Sequence, residues 1–97
     1  MEETMRDEIG ELFQLLQDRQ AHPRPGSYTN ELLDNGEDEI MKKIGEEAIE
    51  VILAAKGQGD ERLLEETADL IYHLLVLLVA RNLTWQDVLN ELDSRRK

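Results

Sequence analysis

Between residues 37 and 81 the helical patterning of this chain is interrupted at one place, Gly57-Gln58-Gly59. Before the interruption Ile40, Ile44, Ala48, Val51, Ile52 and Ala55 mark the apolar arc of a helix over residues 37–56. After it Leu63, Thr67, Leu70, Ile71, Leu74 and Leu78 do the same over residues 60–81, with Asp60 placed to cap that helix. Two helices of this length joined by a short glycine-bounded turn must fold back on each other as an antiparallel pair. Everything else in the chain has to be arranged around that pair.

The remaining segments are shorter. A first helix is predicted over residues 3–19, with Ile9, Leu12, Phe13 and Leu16 on one face. His22-Pro23-Arg24-Pro25-Gly26 cannot continue it, because proline lacks the amide donor and restricts the residue before it. Thr29 is placed to cap a short helix carrying Leu32 and Leu33, which Gly36 ends. Thr84 with Asp87 resembles a capping box for a last helix ending near Arg95. No segment reads as a strand. The 97 residues make one all-α domain, residues 1–97, a helical bundle built around the long antiparallel pair.

The run from Leu70 to Ala80 is apolar nearly all the way round, and a chain this short has little with which to cover it. The expectation is a homodimer with this helix near the interface, completing the bundle with helices from both chains. The run is also well short of the roughly 20 apolar residues a membrane span needs. With no cysteine and an acidic, non-signal-like N-terminus, the reading is a cytoplasmic protein with no membrane partner. A formal charge of −11 argues against binding nucleic acid through a basic surface. It leaves room for a small-molecule nucleotide, provided divalent cations stand between its phosphates and the protein.

Four acids flank the glycine turn in a matched arrangement. Glu47 and Glu50 are three apart on one helix, and Glu66 and Asp69 are three apart on the next. Counted from Gln58, Glu50 lies eight residues back and Glu66 eight forward, while Glu47 lies eleven back and Asp69 eleven forward. At about 1.5 Å rise per residue each pair of partners stands level in the hairpin. Glu47 falls inside the apolar arc and Glu50 beside it, and Glu66 and Asp69 line the edge of the facing arc. Two like charges 4 Å apart repel by about 4 kcal/mol at an effective dielectric near 20. Such a set needs cations or protons to hold it together. Mg²⁺ or Mn²⁺ suits an all-oxygen site and shares its coordination with substrate phosphates. Glu47, Glu50, Glu66 and Asp69 are therefore the candidate metal ligands, with Glu47 or Glu50 orienting an attacking water or taking its proton.

These residues carry a resemblance. Glu47-x-x-Glu50 followed by Glu66-x-x-Asp69 resembles the signature of the all-α, MazG-like nucleotide pyrophosphohydrolases. More narrowly, Ser27-Tyr28-Thr29, the stretch from Lys42 to Val51 and the stretch from Ala68 to Leu78 look like the phosphoribosyl-ATP pyrophosphohydrolase family. The resemblance implies Mg²⁺-dependent hydrolysis of phosphoribosyl-ATP to phosphoribosyl-AMP and pyrophosphate, the second step of histidine biosynthesis. It also implies a cyclohydrolase as the next enzyme, expected here as a separate protein. Residues 3–19 carry little of the likeness.

Around the acids, the candidate substrate-binding residues are Lys43, Lys42, Arg24, Ser27, Tyr28, Thr29 and His73. Lys43 shares the stripe of Glu47 and Glu50 and can reach a phosphate or pair with a neighbouring acid, whereas Lys42 points away from that stripe. Arg24, Ser27, Tyr28 and Thr29 sit on or beside a polar loop that either closes over substrate or simply connects two helices. His73, one turn beyond Asp69, contacts substrate or is a hydrogen-bonded core residue, the second being the commoner use of a lone histidine on an apolar helix. Two other functions fit parts of the pattern: a house-cleaning nucleoside triphosphate pyrophosphohydrolase, and a non-catalytic acidic helical module for protein interaction.

Overall fold

The computed structural model describes residues 7–96 and contains five helices: α1 (Glu8–Ala21), α2 (Tyr28–Asn35), α3 (Glu37–Gly57), α4 (Asp60–Ala80) and α5 (Trp85–Ser94). No strand occurs among the described residues, so the all-α bundle expected from the sequence is the fold observed. The antiparallel α3–α4 pair is its principal packing. Each of the two helices has 21 residues, and an Arg81–Glu37 ion pair at 3.5 Å ties the end of α4 to the start of α3.

Local chemistry explains the ends. Gly36 has φ 97° and Gly59 has φ 95°, a left-handed backbone that side chains disfavour, so glycine ends α2 and turns the chain between α3 and α4. Gly59 is the residue in the cap position of α4, and Asp60 is the first residue of the helix, not its cap. Its charge there still complements the positive end of the helix dipole. The cap of α2 is likewise Ser27 and not Thr29: the Ser27 hydroxyl accepts from the Asn30 amide at 3.2 Å. Thr29 is instead buried, its hydroxyl bonded to that of Tyr72 on α4. Thr84 and Asp87 form the capping box reciprocally, at 3.0 and 2.9 Å. α1 begins at Glu8 and continues two residues past the predicted end, with Asp7 accepting from the Gly10 amide. Residues 3–6 of the predicted helix lie outside the described residues.

One core joins the helices: Phe13 and Leu16 from α1, Leu32 from α2, Ile40 from α3, and Leu75, Val76 and Val79 from α4. Buried Asn30 ties down the proline loop, donating to the Arg19 carbonyl at 2.8 Å and accepting from the Arg24 amide at 2.9 Å. The predicted apolar arc of α3 is covered only at its start. Ile40 is buried and Ile44, Ala48 and Val51 half-buried, whereas Ile52 and Ala55 are exposed and Ala54 takes the buried place near the bend. On α4, Leu64, Ile71, Leu74 and Leu78 recur at helical spacing as one stripe, in which Leu64 is 71% exposed and Leu74 42%. Leu74, Leu78 and Ile71 continue into an apolar groove that Ile9, Trp85 and Val88 help to line. Among the described residues no helix is long and apolar enough to cross a membrane.

Candidate metal centre

Three carboxylates converge where α3 and α4 lie side by side. Glu47 from α3 and Glu66 and Asp69 from α4 each offer an oxygen, and these lie within 4.8 Å of one another. Asp69 is exposed and Glu47 half-buried, while Glu66 is only 3% exposed. The matched heights about Gln58 bring Glu47 and Asp69 together, with Glu66 between the helices beside them. Glu50 stands half-buried outside this trio, near enough for its charge to act on Glu47.

Glu47 is the electrostatic focus. Burial, a hydrogen bond to Glu66 and the charges of Asp69, Glu66 and Glu50 together push its carboxyl from 4.5 to about 7. Its Oε1 is shut away from solvent with no hydrogen-bond partner among the described residues, an arrangement that ordinarily costs about 1–3 kcal/mol, the desolvation of a polar atom left unpaired. A buried oxygen lacking a donor, beside two further carboxylates, is the environment a hard divalent cation would satisfy. The residues present therefore fit such an ion, and Glu47, Glu66 and Asp69 are the ones that could hold it.

One cation already touches the set. Arg62, one turn before Glu66, places Nη2 2.6 Å from Glu66 Oε2 and Nη1 3.0 Å from Glu65 Oε1. The hydrogen bond to Glu65, then the charge of Glu66, with smaller help from Glu50, hold the guanidinium's proton more firmly than usual against some desolvation.

On the other side of the acids, aromatic and imidazole rings connect α2 to α4. The Tyr28 hydroxyl lies 3.1 Å from His73 Nε2, and His73 Nδ1 lies 2.8 Å from the Asp69 carbonyl. A carbonyl only accepts, so Nδ1 donates to it and, in the neutral ring, Nε2 accepts from the tyrosine. His73 is thus a buried, hydrogen-bonded residue that also holds the backbone of Asp69. Tyr28 stacks near Tyr72, centroids 6.1 Å apart. Burial raises its phenol above the ordinary value, Lys43 opposes this, and Tyr72, Glu39 and Glu47 add to it. The Tyr28 hydroxyl therefore stands within electrostatic reach of both Glu47 and Lys43. Lys43 is half-buried and 3.9 Å from Glu46.

The structure separates the remaining candidates. Ser27 spends its hydroxyl on the α2 cap and Thr29 on Tyr72. Lys42 and Arg24 are exposed. Two residues beside the site escaped the sequence analysis. Arg62 had a legible signal, its spacing of three and four from Glu65 and Glu66. Tyr72 had none, since its partner Thr29 is 43 residues away.

The model of one protein family, described as phosphoribosyl-ATP pyrophosphohydrolase, matches residues 9–96. The chain is 52% identical over 85 residues to the phosphoribosyl-ATP pyrophosphatase of Lactiplantibacillus plantarum, an alignment covering 88% of this chain and 80% of that one. It is 51% identical over 92 residues to the phosphoribosyl-ATP pyrophosphatase of Pelotomaculum thermopropionicum, covering 95% and 94%. It is 46% identical over 89 residues to the histidine biosynthesis bifunctional protein HisIE of Caldanaerobacter subterraneus subsp. tengcongensis, covering 92% of this chain and 43% of that longer one.

Proposed function

The chain belongs to the phosphoribosyl-ATP pyrophosphohydrolase family and is an enzyme of that kind, and from this premise we propose that it hydrolyses phosphoribosyl-ATP to phosphoribosyl-AMP and pyrophosphate with Mg²⁺, the second step of histidine biosynthesis. The observation that carries the reading is the convergence of Glu47, Glu66 and Asp69 around an unpartnered buried carboxylate oxygen. Mn²⁺ would serve the same oxygen set.

When bound, the ion supplies positive charge to the phosphate oxygens and lowers the pKa of water. Glu47, Glu66 and Asp69 hold that position. Glu50, outside the trio, is left to orient the attacking water and accept its proton as the new P–O bond forms and the α–β anhydride bond breaks, releasing pyrophosphate. Lys43 offers a cation to the phosphate chain, and the exposed ring of Tyr28 faces the same approach. Arg24 and Lys42 offer exposed positive charge at the margin, Ser27 and Thr29 act by holding α2 in place, and His73 orients Asp69 and Tyr28.

The enzyme works in the cytoplasm as a homodimer, a state supported by the exposed leucine stripe of α4 and the apolar groove it enters. Its product passes to a cyclohydrolase, the next activity of the pathway, in keeping with a relative named as a bifunctional histidine biosynthesis protein.

The test is ³¹P NMR of products formed from phosphoribosyl-ATP in ¹⁸O-water. Phosphoribosyl-AMP and pyrophosphate are expected in equal amounts, and the product carrying ¹⁸O marks the phosphorus attacked. Brisk turnover of ordinary nucleoside triphosphates, with phosphoribosyl-ATP untouched, would transfer the chain to the house-cleaning class. No turnover of either would leave the acidic interaction module.

A further inference from the structure

Arg62 stands out because no role in hydrolysis needs it, yet it makes the shortest ion pair with the trio. Its two guanidinium nitrogens grip different carboxylates, Nη2 on Glu66 at 2.6 Å and Nη1 on Glu65 at 3.0 Å. The Glu66 side chain is 5% exposed and Glu65's is 54%, so one partner belongs to the site and the other to solvent. A divalent cation seated on Glu66 would meet the guanidinium charge across the width of one carboxylate, where like charges repel strongly. Arginine has somewhere to go: it is 48% exposed and keeps Glu65 when it releases Glu66.

We infer that Arg62 and the divalent cation compete for Glu66, so that this arginine sets how tightly the site holds its metal. The inference rests on the metal reading above and assigns that site a built-in rival for one ligand. It follows that the pair Arg62–Glu66 stabilises the chelator-treated protein and is given up on metal loading. By linkage, what Arg62 adds to the stripped protein it subtracts from metal affinity.

The experiment measures free Mn²⁺ by electron paramagnetic resonance against chelator-treated wild type and Arg62→Gln, with melting temperatures taken with and without saturating Mn²⁺. Arg62→Gln is expected to bind Mn²⁺ about fivefold more tightly, in keeping with one ion pair to a buried carboxylate. Stripped of metal it should melt below wild type, and saturating Mn²⁺ should close the gap. Arg81→Gln, which removes the same charge about 22 Å along the helix from Glu66 at about 1.5 Å per residue, should leave affinity within about twofold. Equal or weaker binding by Arg62→Gln, or a melting difference that persists unchanged at saturating Mn²⁺, would make the pair merely structural and overturn the inference while leaving the metal reading intact. Wild type that takes up no Mn²⁺ at millimolar concentration would remove both. Should Arg62→Gln fail to fold, Arg62→Lys carries the same comparison with a smaller tightening, since lysine cannot grip two carboxylates at once.

Discussion

At Glu47 burial and three neighbouring carboxylates all act in one direction, raising its carboxyl to about 7 from 4.5. Between those two values the folded chain holds a proton that the unfolded chain has lost. The contribution of this group to stability is therefore full below about 4.5 and disappears as pH rises through about 7. Chelator-treated wild type should lose stability relative to Glu47→Gln between pH 5 and 8, read as the difference in melting temperature, because glutamine carries no proton to lose. Mg²⁺ binding should strengthen over the same range, since the ion displaces that proton. In the hydrolysis assay Glu47→Gln is expected to cost on the order of 10²-fold or more in kcat; near-normal turnover would take Glu47 out of the mechanism. The acids were legible singly, from their spacing and their place in the apolar arcs. Their unequal environments were not, because the burial of Glu66 beside an exposed Asp69 depends on how far two helices roll about their axes.

Among the elements, the α3–α4 hairpin was the most readable, since two glycines flank its bend and one of them, Gly59, takes the positive φ that turns the chain. Helix starts were read less well. Ser27 and Thr29 are both competent caps, and local sequence could not choose between them. The choice was made from outside, by Tyr72, which draws the Thr29 hydroxyl onto α4 and leaves Ser27 to close α2. Ser27→Ala should therefore cost about 1 kcal/mol in urea-induced unfolding. Thr29→Ala should instead loosen α2 from α4, with the penalty falling on an interhelical contact. Equal behaviour of Ser27→Ala and wild type would return the cap to Thr29.

For the whole molecule, composition and periodicity were enough for an all-α bundle and for the need to cover α4. They could not say which apolar side chains a single chain buries, because core and interface positions carry the same residue types. Leu74 illustrates this: it belongs to the predicted arc of α4, yet 42% of it remains exposed. Sedimentation at micromolar concentration should give a dimer for wild type and a folded monomer for Leu74→Glu. A monomeric wild type would dismiss the two-chain bundle.

The ring of His73, fastened at one nitrogen to a main-chain oxygen and at the other to a phenol, makes the start of α2 and the middle of α4 mechanically one piece. Whatever tugs on Tyr28 at the rim is conveyed through two polar bonds to the stretch of α4 that carries Asp69. A push on the start of α2 is thus felt in the middle of α4, with no hinge or flap required.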